Sequence, residues 1–308
     1  LSLAAQGCSD NGNSGPNDSK TPSPFALSFA ATANGQEVGC SDKIPGLGPD
    51  AKQTVGLSDM RFYISHVHFL DAKGNHVEFT LDQNEFQYTS AAGSVALIDL
   101  TSNTDGTCKD SAVAFAEGTA RTNLAMTGKT IVEDVAEIHF DVGVPQALMK
   151  ETIANNTAEG APSPLNEMYW NWASGYRHFV TNFTVDDGQG NVGDGYLHIG
   201  SRDCGPADGK ALEDRAACTF VNTPAVVLAD FDLQKDTVGV EIPNLLTSVD
   251  FRAPIYDPVT FEVIGEGPGV ECHSSPMQPD CSSIFSNFGL DMTTGSVVSG
   301  AQKVFAKR

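Results

Sequence analysis

No stretch of this chain approaches the ~18 consecutive apolar residues that make a membrane-spanning helix, and positive charge is scarce. Eighteen Lys and Arg stand against 39 Asp and Glu, a formal charge of −21. Nucleic acid and anionic lipid both require a basic footprint, so neither fits as a partner. The balance suits a soluble protein in an extracytoplasmic space, or one that meets cations or a basic partner. Catalytic signatures are missing too: there is no H-E-x-x-H, G-x-S-x-G, P-loop or dinucleotide-binding glycine fingerprint. The zinc-hydrolase pattern H-x-H-x-D-H fails after His66 and His68, because Leu70 stands where its Asp should be and Asp71 where its second His should be. The sequence makes no positive case for an enzyme. Tryptophan is nearly absent: Trp170 and Trp172 are the only two in 308 residues.

What is present begins with a hydrophobic fraction of 40%, enough for a real core. The seven cysteines contain no C-x-x-C, which argues against a zinc ribbon or a thioredoxin-type motif. Cys204/Cys218 and Cys272/Cys281 are short-range candidate pairs. Cys40/Cys108 would be the remaining one, although six cysteines allow about 15 connectivities. Disulfides imply an oxidising compartment. Cys8 is the odd one. The opening Leu-Ser-Leu-Ala-Ala-Gln-Gly-Cys reads as a signal-peptide end meeting a loose bacterial lipobox, with Cys8 the lipidation site; a trimmed secretory signal with a stray thiol is the other reading. Ser9 after it, rather than Asp, would suit transfer to an outer membrane. Residues 9–23 form a polar Gly/Asn/Ser/Pro tract, expected to be a flexible tether. Residues 1–24 are thus expected to be leader remnant and tether, and 25–308 one domain at the periplasm, outer membrane or cell surface.

From residue 25 the pattern is short alternating runs punctuated by Gly, Asn, Asp and Pro. Strands are expected at 25–31, 60–70, 76–81, 95–100, 135–144, 179–185, 196–199, 225–233 and 238–242, with hairpin turns at 71–75 and 186–191. Only 145–154 and 166–173 favour helix. Many strands and few helices predict a mainly β fold, an antiparallel β-sandwich with one or two short helices, stapled by disulfides.

Alternation also sorts the histidines. In 60–70, Met60, Phe62, Ile64, His66 and His68 share one parity, so His66 and His68 are expected on the apolar face, adjacent and wanting hydrogen bonds or a metal. His139 falls on a solvent face and His76 and His273 in exposed loops. His198 precedes Gly200 and Cys204, where a disulfide would fix the backbone. His178 is expected to hold hydrogen bonds. Imidazoles near Met168 suit copper or zinc better than calcium or magnesium. The acidic 186–191 loop lacks the alternating acids of a calcium loop and reads as a plain turn.

Several blocks in order, RFYISHVHFLD (61–71), FDVGVP (140–145), PLN (164–166), MYWNWASGY (168–176), LHIGSRDC (197–204) and GLD (289–291), resemble the MbnP-like copper-binding proteins, the four-cysteine partners in metallo-mystery pair systems. The resemblance spans roughly 25–295. It implies an extracytoplasmic copper binder whose partner, a MauG-like di-haem enzyme, oxidises a tryptophan to kynurenine. On that basis His66, His68 and His198 are the candidate ligands. Trp170 or Trp172 is the candidate modified residue, with Met168 and Tyr176 around it. A short helix or turn at 166–173 would leave one working tryptophan, since neighbouring indoles two apart then diverge. Two other classes compete. One is an acidic adhesion or binding module with no metal, presenting Trp170, Trp172 and Tyr176 as an aromatic platform. The other, weaker for want of a carboxylate ligand, is a zinc hydrolase at His66 and His68.

Overall fold

Alternating burial in two long strands sets the architecture of the computed structural model, which describes residues 20–40, 42–101, 122–155, 160–171, 175–205, 218–257 and 259–308. In Ser23–Ala33, the side chains of Phe25, Leu27, Phe29 and Ala31 turn inward. In Gln53–Leu70, Met60, Phe62 and Ile64 are fully buried. Their rings meet across the layer: Phe25 lies 5.2 Å from Phe69, Phe29 lies 5.5 Å from Phe62, and Phe62 stacks on Phe179 at 5.5 Å. Each such pair adds about 0.5–1.5 kcal/mol beyond its burial, so this aromatic layer is the main joint between the sheets.

The smaller sheet runs in the order Phe305–Lys307, Val238–Glu241, Ser23–Ala33, Ala125–Thr130, Phe79–Leu81. The larger is organised on Gln53–Leu70. Its 54–62 portion pairs with Gly175–Asp186 and its 64–70 portion with Glu137–Val142. Val192–Gly200 follows through the 186–191 hairpin, and Val270–Cys272 lies beyond it. The sandwich is mainly β, as expected, and mostly antiparallel. Two joints are parallel: Ser23–Ala33 with Val238–Glu241, and Val192–Gly200 with Val270–Cys272. A second buried cluster covers the outer face of the larger sheet. Tyr63, Leu97, Leu148, Met149, Met168, Tyr176 and Val180 close it beneath the helix Gln146–Asn155.

Both short-range cysteine pairs are bonded: Cys204 to Cys218, and Cys272 to Cys281. Closing a loop of 14 residues contributes about 3 kcal/mol on the chain-entropy model. Cys8 and Cys108, and with them residues 9–19 of the expected tether and the Cys40/Cys108 pairing, lie outside the described residues, as does Trp172; the tether's last residue, Ser23, already belongs to the first strand. No helix among the described residues is long and apolar enough to cross a membrane.

Three expectations need correction. The segment expected as a helix at 166–173 contains a short strand, Tyr169–Asn171, because Gly175 at φ +71° folds it back onto Tyr176. Helices form instead at Ile242–Leu245 and Pro279–Asn287. The second has Pro279 in its first turn and buries Cys281, Ile284 and Phe285, a helical spacing too short to stand out within a cysteine-rich loop.

The third correction concerns His66 and His68. Their strand carries a bulge: Ser65 pairs with Asp141 and His68 with His139, and His66 takes φ +46°. One extra residue exchanges the two faces of everything beyond it. Val67 and Phe69 therefore continue the inward row of Met60, Phe62 and Ile64, while His66 and His68 turn out to solvent.

Candidate metal centre

Parallel pairing sets Leu197 beside Cys272, so the residues that follow, His198 and His273, leave neighbouring strands together. Their Nδ1 atoms are 2.9 Å apart. Alternation explains His198: Leu197 and Ile199 enter the main core, and His198, 4% exposed, takes the other face. His198 Nε2 donates to Asn182 Oδ1 at 2.9 Å, which leaves its Nδ1 lone pair to accept the hydrogen bond that His273 Nδ1 donates. His273 is held by three devices. The Cys272–Cys281 bond fixes the preceding residue. Gln278 accepts its backbone N–H. Ser274, buried at φ +60°, accepts from Gly200 N and donates to His198 O.

Trp170 completes the group. Tyr169 packs with Tyr176 on the second core, so alternation sends Trp170 to the opposite face, where its ring centre lies 6.4 Å from that of His273. The indole rests over Gly200, where an added Cβ would come 3.3 Å from Trp170 Cε3 and 2.5 Å from Tyr176 O. Arg177 covers the indole with its guanidinium carbon 5.1 Å from the ring. The Tyr196 ring stacks on His273 at 6.4 Å.

The electrostatics favour neutral imidazoles. Burial pushes His198 down to about 2, helped by His273, Arg177 and Arg61. Burial lowers His273 too, with Arg177 adding to it and Glu271 opposing. Arg177 is itself pushed down to about 10 by burial and the like charge of Arg61, and stays charged at neutral pH. The shared proton holds the two nitrogens 2.9 Å apart, and two imidazole nitrogens that share an ion at about 2.0–2.1 Å sit roughly as far apart when cis, so a borderline metal that prefers imidazole could replace that proton. Two imidazoles are an incomplete set. Among the described residues no group of three or more His, Cys, Asp or Glu side chains converges to hold an ion.

Of the expected ligands, then, only His198 stands here. His198 lies opposite Val180, which lies opposite Arg61. The strand then continues from Arg61 to His66 and His68, roughly 15–25 Å away at about 3.3 Å per residue. His66 is exposed and bonds Asp141 through Nδ1 at 2.8 Å. Met168 and Tyr176 are buried in the second core, on the side away from Trp170. His178 is fully buried. It accepts from Val144 N and donates to Val221 O, and burial lowers it to about 4: a structural histidine, as expected. His273 was expected to be exposed, but 32% of its side chain is accessible and it is central. Its signal was its place directly after a disulfide cysteine, uninformative without the parallel joint.

Comparison with known proteins agrees with this architecture. The family model described as MbnP matches residues 22–261. The solved structure of MbnP from Methylosinus trichosporium aligns with a TM-score of 0.68 at 24% sequence identity, covering 93% of this chain and 98% of that one. At that identity the likeness carries the fold. No curated protein matches the chain.

Proposed function

Because this chain belongs to the MbnP family, we propose that it binds copper through His198 and His273. In this reading Trp170 is the residue that a MauG-like di-haem partner oxidises to kynurenine. The carrying observation is the contact of two neutral Nδ1 atoms with a tryptophan alongside. A copper ion supplies a Lewis-acidic, redox-active centre, and the protein's part is to present ligands. Asn182 fixes the His198 tautomer, burial suppresses competing protonation, and Ser274 with the Cys272–Cys281 bond holds His273 in place. Copper prefers such N donors.

An intact indole offers only an N–H donor. Its oxidation by the partner, which takes two oxygen atoms from dioxygen or from two equivalents of hydrogen peroxide, breaks the C2–C3 bond. C3 becomes a ketone, C2 leaves as formate on hydrolysis, and an aryl amine is freed. That amine and carbonyl are the additional donors the two imidazoles lack. The two disulfides support an extracytoplasmic setting, and anchoring through Cys8 at the periplasmic or cell surface belongs to the same proposal. The aromatic-platform reading has less behind it, because Tyr176 is buried and Arg177 lies over Trp170. The hydrolase reading loses its two histidines to the solvent face.

The test is copper titration of natively produced protein against a His198→Ala/His273→Ala variant, with intact mass and peptide mapping. We expect loss of the tight equivalent and a gain of about 4 Da at the peptide containing Trp170. A variant that binds copper as tightly as wild type would sink the assignment.

A further inference from the structure

His68 and His76, set aside by the site above, sit together at the far end of the larger sheet. We infer that they form a second, exposed site for a borderline divalent transition-metal ion such as Cu(II) or Zn(II). The inference is independent of the function proposed for His198 and His273.

Three adjacent strands build the site. The bulge at His66 turns His68 to the solvent face. The 71–75 turn, closed by Asp71 accepting from the backbone of Lys73 and Asn75, returns the chain so that His76 lies opposite Leu70, on the same face as His68. On the other side His139 lies directly opposite His68. Three imidazoles thus line up across the sheet, with His66 beside them.

The spacing between His68 and His76 is the decisive quantity: their ring centres are 5.2 Å apart, at 67°. A nitrogen at about 2.0–2.1 Å from an ion puts its ring centre about 3.2 Å away, so two rings on one tetrahedral ion are about 5.2 Å apart. Neither ring hydrogen-bonds to the protein among the described residues, so a metal would displace only water. His66 and His139 are engaged differently: each meets a carboxylate, Asp141 and Glu137 respectively. Those acids place negative charge beside the pair without using up its donors. Burial, then the neighbouring His76, His139 and His66, lower the His68 pKa from its ordinary value. The formal charge of −21 raises the local concentration of cations. Imidazole ligands exclude Ca²⁺ and Mg²⁺ as the natural occupants.

The experiment titrates Cu(II), and separately Zn(II), into three proteins: the full chain, its His68→Ala/His76→Ala variant and its His198→Ala/His273→Ala variant. Binding is followed calorimetrically, and substoichiometric Cu(II) reports the site by paramagnetic broadening of assigned imidazole signals. The expected result is broadening at His68 and His76 in both the full chain and the His198/His273 variant. Removing the exposed pair should weaken that equivalent by at least about tenfold, since losing even an outer partner of a ligand costs 10–100-fold. Both replaced residues are at the surface of the strand end, so the fold survives. Unchanged stoichiometry and affinity in the His68→Ala/His76→Ala variant would overturn the site, whatever happens at His198 and His273.

Discussion

Replacing Asp59 by Asn measures the cost of breaking a buried ion pair inside the sheet. The Arg61 guanidinium meets the Asp59 carboxylate through two bonds, Nε to Oδ1 at 2.9 Å and NH2 to Oδ2 at 2.8 Å, with side-chain exposures of only 3% and 2%. Burial alone would lower the arginine's pKa, but Asp59, with Asp99 and Glu167, together outweigh it and the pKa is raised. Asp59→Asn keeps the shape and removes the charge that Arg61 meets directly, with Asp99 and Glu167 its remaining acidic neighbours. Breaking one side of a buried pair typically costs 3–5 kcal/mol. With a urea m-value of about 3 kcal/mol/M, the midpoint should fall by about 1–1.7 M. Asp59→Leu/Arg61→Met removes both charges, and apolar replacement of a whole pair is often near neutral, so most of the loss should return. The assay is urea unfolding at pH 7 with disulfides intact. A loss below about 1 kcal/mol in Asp59→Asn, or a double variant no more stable than the single one, would refute the reasoning. The row also reaches the candidate centre: Asp59 pairs with Asn182, the residue that orients His198.

Three further outcomes follow from the same geometry. The Asp99 carboxyl is pushed up to about 7 by burial, which outweighs Arg61. The folded state therefore binds a proton that the unfolded state releases near pH 4, so stability falls as pH rises from about 4 to about 7, by at most about 4 kcal/mol. Asp99→Asn should remove that slope from urea midpoints taken across pH 4–8. Gly175→Ala would force a Cβ to 2.4 Å from Met149 Sδ and 2.7 Å from Ser201 Oγ at φ +71°; a loss of about 1–3 kcal/mol and altered tryptophan emission are expected. Deleting His66 should be tolerated within about 2 kcal/mol. Without it Met60, Phe62, Ile64, Val67 and Phe69 alternate without interruption, and cooperative thermal unfolding with native circular dichroism checks this.

Much of the fold was legible because its signals are local. Alternation in 25–31 and 179–185 and the Asx-rich turns at 71–75 and 186–191 need no distant partner to be read, and both hairpins form as expected. The bulge is different. His66 looks like any other member of the alternating row, and its φ of +46° follows from the neighbouring strand, which pairs Ser65 with Asp141 but His68 with His139. Counting by two without that knowledge assigns every residue past Ser65 to the wrong face. The 166–173 segment failed for a related reason. Local helix preference there is weak, and pairing with Tyr176 across the Gly175 turn overrides it.

The candidate centre was half legible. His198 could be singled out because it alternates against Leu197 and Ile199 and precedes a disulfide cysteine. His273 comes 75 positions later and joins it only through the parallel pairing of Gly195–Leu197 with Val270–Cys272. Parallel register between short distant strands leaves no periodic trace in either one. What the sequence did hold was chemistry without address: an imidazole beside a cysteine, a serine next to it, and a tryptophan far away. The backbone supplies the address. Ser274 ties the His273 loop to the His198 carbonyl and to Gly200, and Gly200 in turn leaves room for Trp170. Gly200 is thus the small residue on which both the histidine loop and the indole depend, and this explains why a side chain there would disturb ligand and tryptophan together.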